Sequence, residues 1–359
     1  MQFIAPPNLY YGENSSKALA KFKGERIAVV SGKSWRYFEN YVEKHLGKDY
    51  SFIEAKRSSQ TGEPTEKDVE RLTAELKHVR PNYVIAVGGG SVIDMVKAAA
   101  IFAENDDLNW ENFYNAKWKN PPIKIVAVET TSGTGTGVSA ASVVIHENLK
   151  KGVVHKTLVP YMSIYDPYYT KFMPREVAKS SGMDALTHAV EAYTSNVENI
   201  VSDTLALKAV EIIVKNIVEA VEGNYDARVN MHLANMLAGL GFTNSRLTIC
   251  HGIAHKLGAR LGIPHGIINA IFLPPVVEEN LRGAREKFEK IAEIFGISVD
   301  KLGDAIRELN DKLGIPNEIH ADIDMESIAE EILQDRLMIF NPAKLNREDV
   351  KRILRKVFV

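Results

Sequence analysis

The sequence predicts two domains: an α/β N-terminal domain with a mostly parallel sheet over residues 1–170, then an all-α C-terminal domain over residues 171–359. Three observations carry that expectation. Short β-branched runs alternate with amphipathic stretches through the first half, the pattern of a parallel sheet wrapped by helices. Two of those runs are almost continuously apolar, as strands are when both faces are covered. After Asp166-Pro167 strand-like runs stop, and long segments of 3.6-residue period take over.

Arg26–Ser31, Tyr50–Glu54, Tyr83–Val87 and Ile123–Val128 read as strands, the third and fourth being the nearly continuous apolar runs. Between them lie helical stretches at Ser34–Leu46, at Thr65–Val79 with Leu72, Leu76 and Val79 on one face, and at Ser91–Phe102. Residues 139–165 read as a polar hairpin and a last strand. The second half holds helices at Ser202–Val221, Asp226–Leu240, Ala284–Phe295, Val299–Leu313, Met325–Leu333 and Arg347–Val357, with breaks at Gly314-Ile315-Pro316 and Asn341-Pro342.

A chain of 359 residues with 45% hydrophobic content can bury a large core. A formal net charge of −2, with no stripe of clustered Lys and Arg, argues against nucleic acid or an anionic membrane as the main partner and for a small ligand. The single cysteine, Cys250, permits no internal disulfide and sits where core packing is expected. The N-terminus lacks the basic and apolar regions of a signal peptide, and no apolar run approaches the ~18 residues of a membrane span, so a cytoplasmic protein is expected.

Two groups of residues carry chemistry. Asp184 and His188 are four apart, as are His251 and His255, and that spacing stacks side chains on one helix face. His265 follows between Pro264 and Gly266. All lie among small and apolar residues, where an imidazole needs a partner. One divided metal site, catalytic in kind, is the reading; nitrogen and carboxylate ligands suit zinc, iron or related ions. In the first half, Gly88-Gly89-Gly90-Ser91 follows a strand and opens a helix, so backbone amides and the helix N-terminus could receive a pyrophosphate. The loop Thr130 to Gly137 follows the next strand and offers hydroxyls suited to phosphate and ribose oxygens. Neither loop is the G-x-G-x-x-G fingerprint.

These residues, in this order, resemble the iron-containing alcohol dehydrogenases of the dehydroquinate synthase-like fold. The likeness is carried by Gly88 to Asp94 with Lys97, Thr130 to Gly135, Asp166-Pro167, Gly182 to His188 with Glu191, His251 to His255, and Pro264 to Gly266, and becomes vague after about residue 285. It implies an N-terminal nucleotide-binding domain and a C-terminal metal-binding domain. Asp184, His188, His251 and His265 would bind one divalent ion, usually Fe(II) and in some members zinc. His255 then leaves the ligand set and becomes a proton carrier near the nicotinamide. Gly88, Gly89, Gly90 and Ser91 would hold the pyrophosphate, with Asp94 in the same cofactor-binding set; Thr130, Thr131 and Thr134 would line the cofactor cleft, with Lys151 at a ribose. Dimerisation through the N-terminal domain is also implied.

Three departures stand out. Many relatives carry an Asp after the first strand, where this chain has Gly32, flanked by Lys33 and Ser34; a 2′-phosphate would meet no carboxylate there, so NADP(H) is expected over NAD(H). Glu129 and Gly137 replace a Pro and a Glu common at the two ends of the threonine loop. Lys256 replaces a Pro frequent after the second histidine. The resulting expectation is metal-assisted hydride transfer between small primary alcohols and their aldehydes. Its rivals are a glycerol or diol dehydrogenase of the same fold using NAD and, from another class, a catalytically silent nucleotide- and metal-binding protein.

Overall fold

The computed structural model describes residues 2–59, 62–147 and 149–359. The chain divides into two compact units, Met1–Pro174 and Arg175–Val359. No helix is long and apolar enough, among the described residues, to cross a membrane.

Unit 1 runs β1 (Asn8–Tyr11), β2 (Ile27–Ser31), α1 (Trp35–Leu46), β3 (Ser51–Glu54), α2 (Glu66–Val79), β4 (Tyr83–Gly88), α3 (Gly90–Ala103), α4 (Trp110–Tyr114), β5 (Lys124–Glu129), β6 (Ala141–His146), β7 (Leu149–Val154) and β8 (Met162–Tyr165). Six strands form one sheet in the order β1-β8-β5-β4-β2-β3, every neighbouring pair parallel, while β6 and β7 form a separate antiparallel hairpin. Alternate residues of the central strands feed opposite cores. Ala28, Val30, Val84, Ala86, Ile125 and Ala127 pack with α2 and α3, whereas Ile27, Val29, Ile85, Val87, Val126 and Val128 pack with α1. Burial on both faces is the reason these strands read as continuous apolar runs. The edge strand β1 was not expected; only four residues long and mostly half-buried, it lacks that signal.

From β2 the chain goes to one side for β3 and then to the other for β4, so strand order reverses between β2 and β4. In open α/β sheets such a switch point leaves a crevice beyond the carboxyl ends of the strands, where ligands bind. The residues at those ends here are Gly32 after β2 and Gly88 to Gly90 after β4. Ser31 Oγ donates to the Val87 carbonyl at 2.7 Å and ties the two strand ends together.

Unit 2 is helical: α5 (Arg175–Thr194), α6 (Ile200–Val221), α7 (Tyr225–Ser245), α8 (Ile249–Leu261), α9 (His265–Phe295), α10 (Leu302–Leu313), α11 (Met325–Leu333) and α12 (Arg347–Arg355). The helix expected from Ala284 starts nineteen residues earlier, at His265, with Pro274 and Pro275 inside it, and is kinked at Ala284, whose backbone is non-helical. Two adjacent prolines remove two amide donors and hide helical continuity from a sequence reading. Helix α5 packs against α6, α7 and α9, and α8 packs against α9. The approach of α9 to α5 depends on Gly266: a Cβ there would lie 1.9 Å from the Ser180 carbonyl oxygen.

Candidate metal and nucleotide sites

In unit 2, Asp184 and His188 sit one turn apart on α5, and His251 projects from α8. Their ligand atoms all lie within 4.8 Å of one another, and all three residues are buried. His188 Nδ1 is 4.0 Å from Asp184 Oδ2, and His251 Nε2 is 3.7 Å from Oδ1. His265, the first residue of α9, stands beside this cluster with Nε2 3.9 Å from Asp184 Oδ1. His255, one turn after His251, is outside the three-residue cluster; its ring lies parallel to that of His265 at 5.4 Å between centroids. Phe242 stacks on His188 at 4.6 Å.

The donor atoms converge on a single amide. Asn269 Nδ2 donates to Asp184 Oδ1 at 2.9 Å and also lies 3.2 Å from His251 Nε2 and 3.5 Å from His265 Nε2. Its own Oδ1 is buried without a hydrogen-bond partner among the described residues. One partial positive charge thus gathers three lone-pair atoms, and a divalent ion is the species that satisfies such a set fully. The donor chemistry fits iron or zinc. Asn269 escaped the sequence reading, although its place four residues after His265 on one helix was a usable signal.

Glu191, quoted in the sequence motif without a role, turns out to organise this site. It is buried on α5, and its carboxylate accepts from Thr248 N (3.1 Å), Thr248 Oγ1 (2.6 Å), Cys250 N (2.7 Å) and His251 Nδ1 (2.6 Å). With Nδ1–H committed to Glu191, the Nε2 lone pair of His251 points toward Asp184. A carboxylate behind a ligating histidine fixes its tautomer and raises its basicity. Desolvation works against charging His251, yet Glu191 and Asp184 outweigh it and raise its pKa to about 9, so a divalent ion bound at Nε2 would take the place of the proton that these carboxylates otherwise hold there. Burial likewise opposes ionisation of Asp184, but the surrounding histidines hold it well below the usual carboxylate range. Two buried carboxylates kept anionic call for compensating positive charge.

Cys250 is fully buried, its thiol pushed up by desolvation, which makes it an inert packing residue. Lys256 forms an ion pair with Asp335 at 3.3 Å, tying α8 to the turn that precedes Arg336–Phe340. That accounts for the Lys in place of Pro.

In unit 1 the glycine turn and the threonine loop form one packed body. Thr130 N donates to the Gly88 carbonyl at 3.1 Å. A Cβ on Gly89 would lie 2.8 Å from Thr131, and one on Gly90 would lie 2.6 Å from Thr134. These glycines therefore make room for threonine side chains as well as leaving amides open at the start of α3, where Ser91 is half-buried and the first turn carries no acidic residue. Asp94 accepts from Thr136 Oγ1 at 2.6 Å. Lys97 is fully buried, with its ammonium donating to the carbonyls of Thr136 (2.7 Å), Ser139 (2.8 Å) and Ala141 (2.8 Å). Desolvation pushes Asp94 up to about 6, Lys97 down to about 8 and Glu129 up to about 8. Lys97 thus clamps the carboxyl end of the threonine loop from below. Lys151, expected at a cofactor ribose, lies on the hairpin with its ammonium 4.3 Å from the centre of the Tyr114 ring. Gly32 is buried, and Lys33 is exposed. Ser34 caps α1 without a side-chain bond to the helix, so its hydroxyl is not consumed there.

Comparison with known proteins bears on the whole chain. The family description "Iron-containing alcohol dehydrogenase" matches residues 6–167, and "Fe-containing alcohol dehydrogenase family, C-terminal" matches residues 178–358. The chain is 35% identical to an alcohol dehydrogenase of Thermococcus barophilus, both chains being covered in full. It is 33% identical to an NADPH-dependent butanol dehydrogenase of Clostridium saccharobutylicum, covering 100% of this chain and 98% of that one. Its fold matches the solved structure of an iron-containing alcohol dehydrogenase from Thermococcus thioreducens with a TM-score of 0.89 at 31% identity, covering 99% of each chain.

Proposed function

The chain belongs to the iron-containing alcohol dehydrogenase family, and from that premise we propose that it is an NADP(H)-preferring enzyme interconverting small primary alcohols and aldehydes. Membership makes it an oxidoreductase that uses a metal, iron, and a nicotinamide cofactor, which sets aside the silent-binder alternative. We assign Asp184, His188, His251 and His265 as the metal ligands. The observation that carries this assignment is the convergence of Asp184 Oδ1, His251 Nε2 and His265 Nε2 on one point.

Iron held by these residues would supply Lewis acidity, and a nicotinamide cofactor would supply hydride chemistry. The protein's own contributions follow from the side chains. Asp184 provides the anionic ligand, and Glu191 holds the His251 ring in the orientation and tautomer that expose Nε2. His255 is partly exposed and adjacent to the ligands without joining them, which suits a residue that passes the substrate proton to solvent. Phe242 against His188 limits room near the ligands, in keeping with a small substrate. Gly32 leaves no carboxylate to repel a 2′-phosphate, and Gly88 to Ser91 with the threonine loop would take the pyrophosphate, Asp94 holding that loop through the Thr136 hydroxyl. A relative named for NADPH and butanol supports the cofactor and the substrate class together. A homodimer formed through the N-terminal domain is part of the same reading, and light scattering tests it.

The deciding experiment strips the protein of metal, reloads it anaerobically with Fe(II) or Zn(II), and follows oxidation of NADPH and NADH with short aldehydes and a diol panel. Metal-dependent turnover with NADPH well above NADH is the expected result. Turnover with NADH alone, and with diols above simple alcohols, would replace this reading with the polyol enzyme.

A further inference from the structure

We propose that Arg57 is the residue that binds the 2′-phosphate of the cofactor, a role that rests on the NADP(H) reading above. The sequence between β3 and α2 has no recognisable phosphate motif, and Arg57 reaches its position through strand pairing. Parallel pairing sets Ser31 opposite Glu54, and Ala55 N donates to the Ser31 carbonyl at 2.8 Å, so the chain leaving β3 runs alongside the end of β2. Two residues later the guanidinium of Arg57 arrives over Gly32: a Cβ on Gly32 would lie 3.5 Å from Arg57 Nη2.

This is the location where an acidic side chain after β2 would bond the adenosine 2′-hydroxyl, and where an arginine nearby accommodates a 2′-phosphate instead. Arg57 is an exposed residue, although burial of its head group lowers the guanidinium from its ordinary value, and it makes no hydrogen bond or ion pair with another described residue. The carboxylate whose charge acts on it, Asp68, already accepts from Thr65 N, Thr65 Oγ1, Ser58 N and Ser58 Oγ. Arg57 therefore presents donors that nothing described engages, beside a residue with no side chain. Planar guanidinium donors match phosphate oxygens in pairs, and Lys33 and the Ser34 hydroxyl lie next in sequence to Gly32. The missing carboxylate at residue 32 and the arginine at residue 57 act together: one removes repulsion and the other adds attraction.

The test uses the full-length, metal-loaded protein and calorimetric titration with 2′,5′-ADP and with 5′-AMP, which differ only by the 2′-phosphate. Arg57→Gln should weaken 2′,5′-ADP by roughly 10- to 100-fold, the loss of one charge-assisted phosphate contact, and leave 5′-AMP within about threefold. Arg57→Lys should keep part of the preference. The same variants should lower kcat/KM for NADPH and not for NADH, with thermal unfolding little changed because the side chain makes no hydrogen bond or ion pair with another described residue. If the wild type prefers 2′,5′-ADP and Arg57→Gln keeps that preference, the role of Arg57 is overturned while the NADP(H) reading stands. Equal loss of both nucleotides would make Arg57 a general support of the adenosine site and also overturn the proposal. A wild type that does not distinguish the two nucleotides and turns over NADH faster removes the NADP(H) reading, and this proposal with it.

Discussion

The carboxylate of Glu129 occupies the space that Gly137 leaves open: Oε2 accepts the Gly137 amide at 3.3 Å and lies 3.3 Å from where a Cβ on Gly137 would be. The two departures at the ends of the threonine loop are thus a matched pair. A carboxylate is still present at the far end of the loop, but it comes from the end of β5, and Thr131 Oγ1 donates to its other oxygen at 3.0 Å. One buried acid thereby joins both ends of the loop to the sheet.

That acid should leave a signature in the dependence of stability on pH. Desolvation raises Glu129 to about 8, above its ordinary carboxylate value, so between roughly pH 4.5 and 8 the folded chain holds a proton the unfolded chain has released. Its contribution to stability is complete below that window and is lost as pH rises through it. Glu129→Gln should remove this loss, gaining on the wild type by about 1 kcal/mol or more between about pH 5 and about pH 8. Chemical denaturation of both proteins across that range measures it, and parallel curves would refute the assignment.

Glu191 should matter to the metal more than to the fold. Glu191→Gln keeps the shape and removes the charge behind His251, and loss of such a partner lowers metal affinity by roughly 10- to 100-fold. Competition with a graded series of chelators reads this directly. An unchanged metal affinity would mean the 2.6 Å contact with His251 is only structural.

His255 and His251 share a helix but should fail differently. His255→Ala should retain metal and lower turnover by about 10²-fold or more, the usual scale of a lost general acid or base, with the pH profile of kcat altered. His251→Ala should lose metal. Metal analysis of the two purified variants separates these outcomes, and metal loss from His255→Ala would make His255 a ligand rather than a proton carrier.

Gly90→Ala tests the packing of the two loops. The added Cβ would fall 2.6 Å from Thr134, and overpacking of this kind costs about 1–3 kcal/mol. The variant should be less stable and should bind nucleotide more weakly, while Gly90→Ala with Thr134→Ser should recover part of both by removing the Thr134 methyl group. Thermal unfolding and nucleotide titration check the pair.

Much of this was legible in the sequence because it is local or periodic. Burial on both faces writes continuous apolar strands such as Tyr83–Val87, and a helix writes Asp184 and His188 four apart. The elements that escaped are those whose signal is short or contradictory, such as the edge strand β1 and the start of α9, where Pro274 and Pro275 obscure the helix. Asn269, Glu191 and Lys256 were visible as residues but not as partners, since each acts across a gap that no spacing rule measures.

The sequence by itself determined the alternation that makes a parallel sheet, the histidine and carboxylate pairs, the two loops at strand ends and the bare glycine at residue 32. Only the tertiary structure decided which donor atoms meet. His265 comes beside Asp184 because Gly266 lets α9 pass over the Ser180 carbonyl, Glu129 fills the gap at Gly137 because β5 and the loop close on each other, and Arg57 lies over Gly32 because β3 pairs in register with β2. Periodicity assigns a residue to a face of its own element. Distances between elements are set by packing and register, which involve residues remote in the chain.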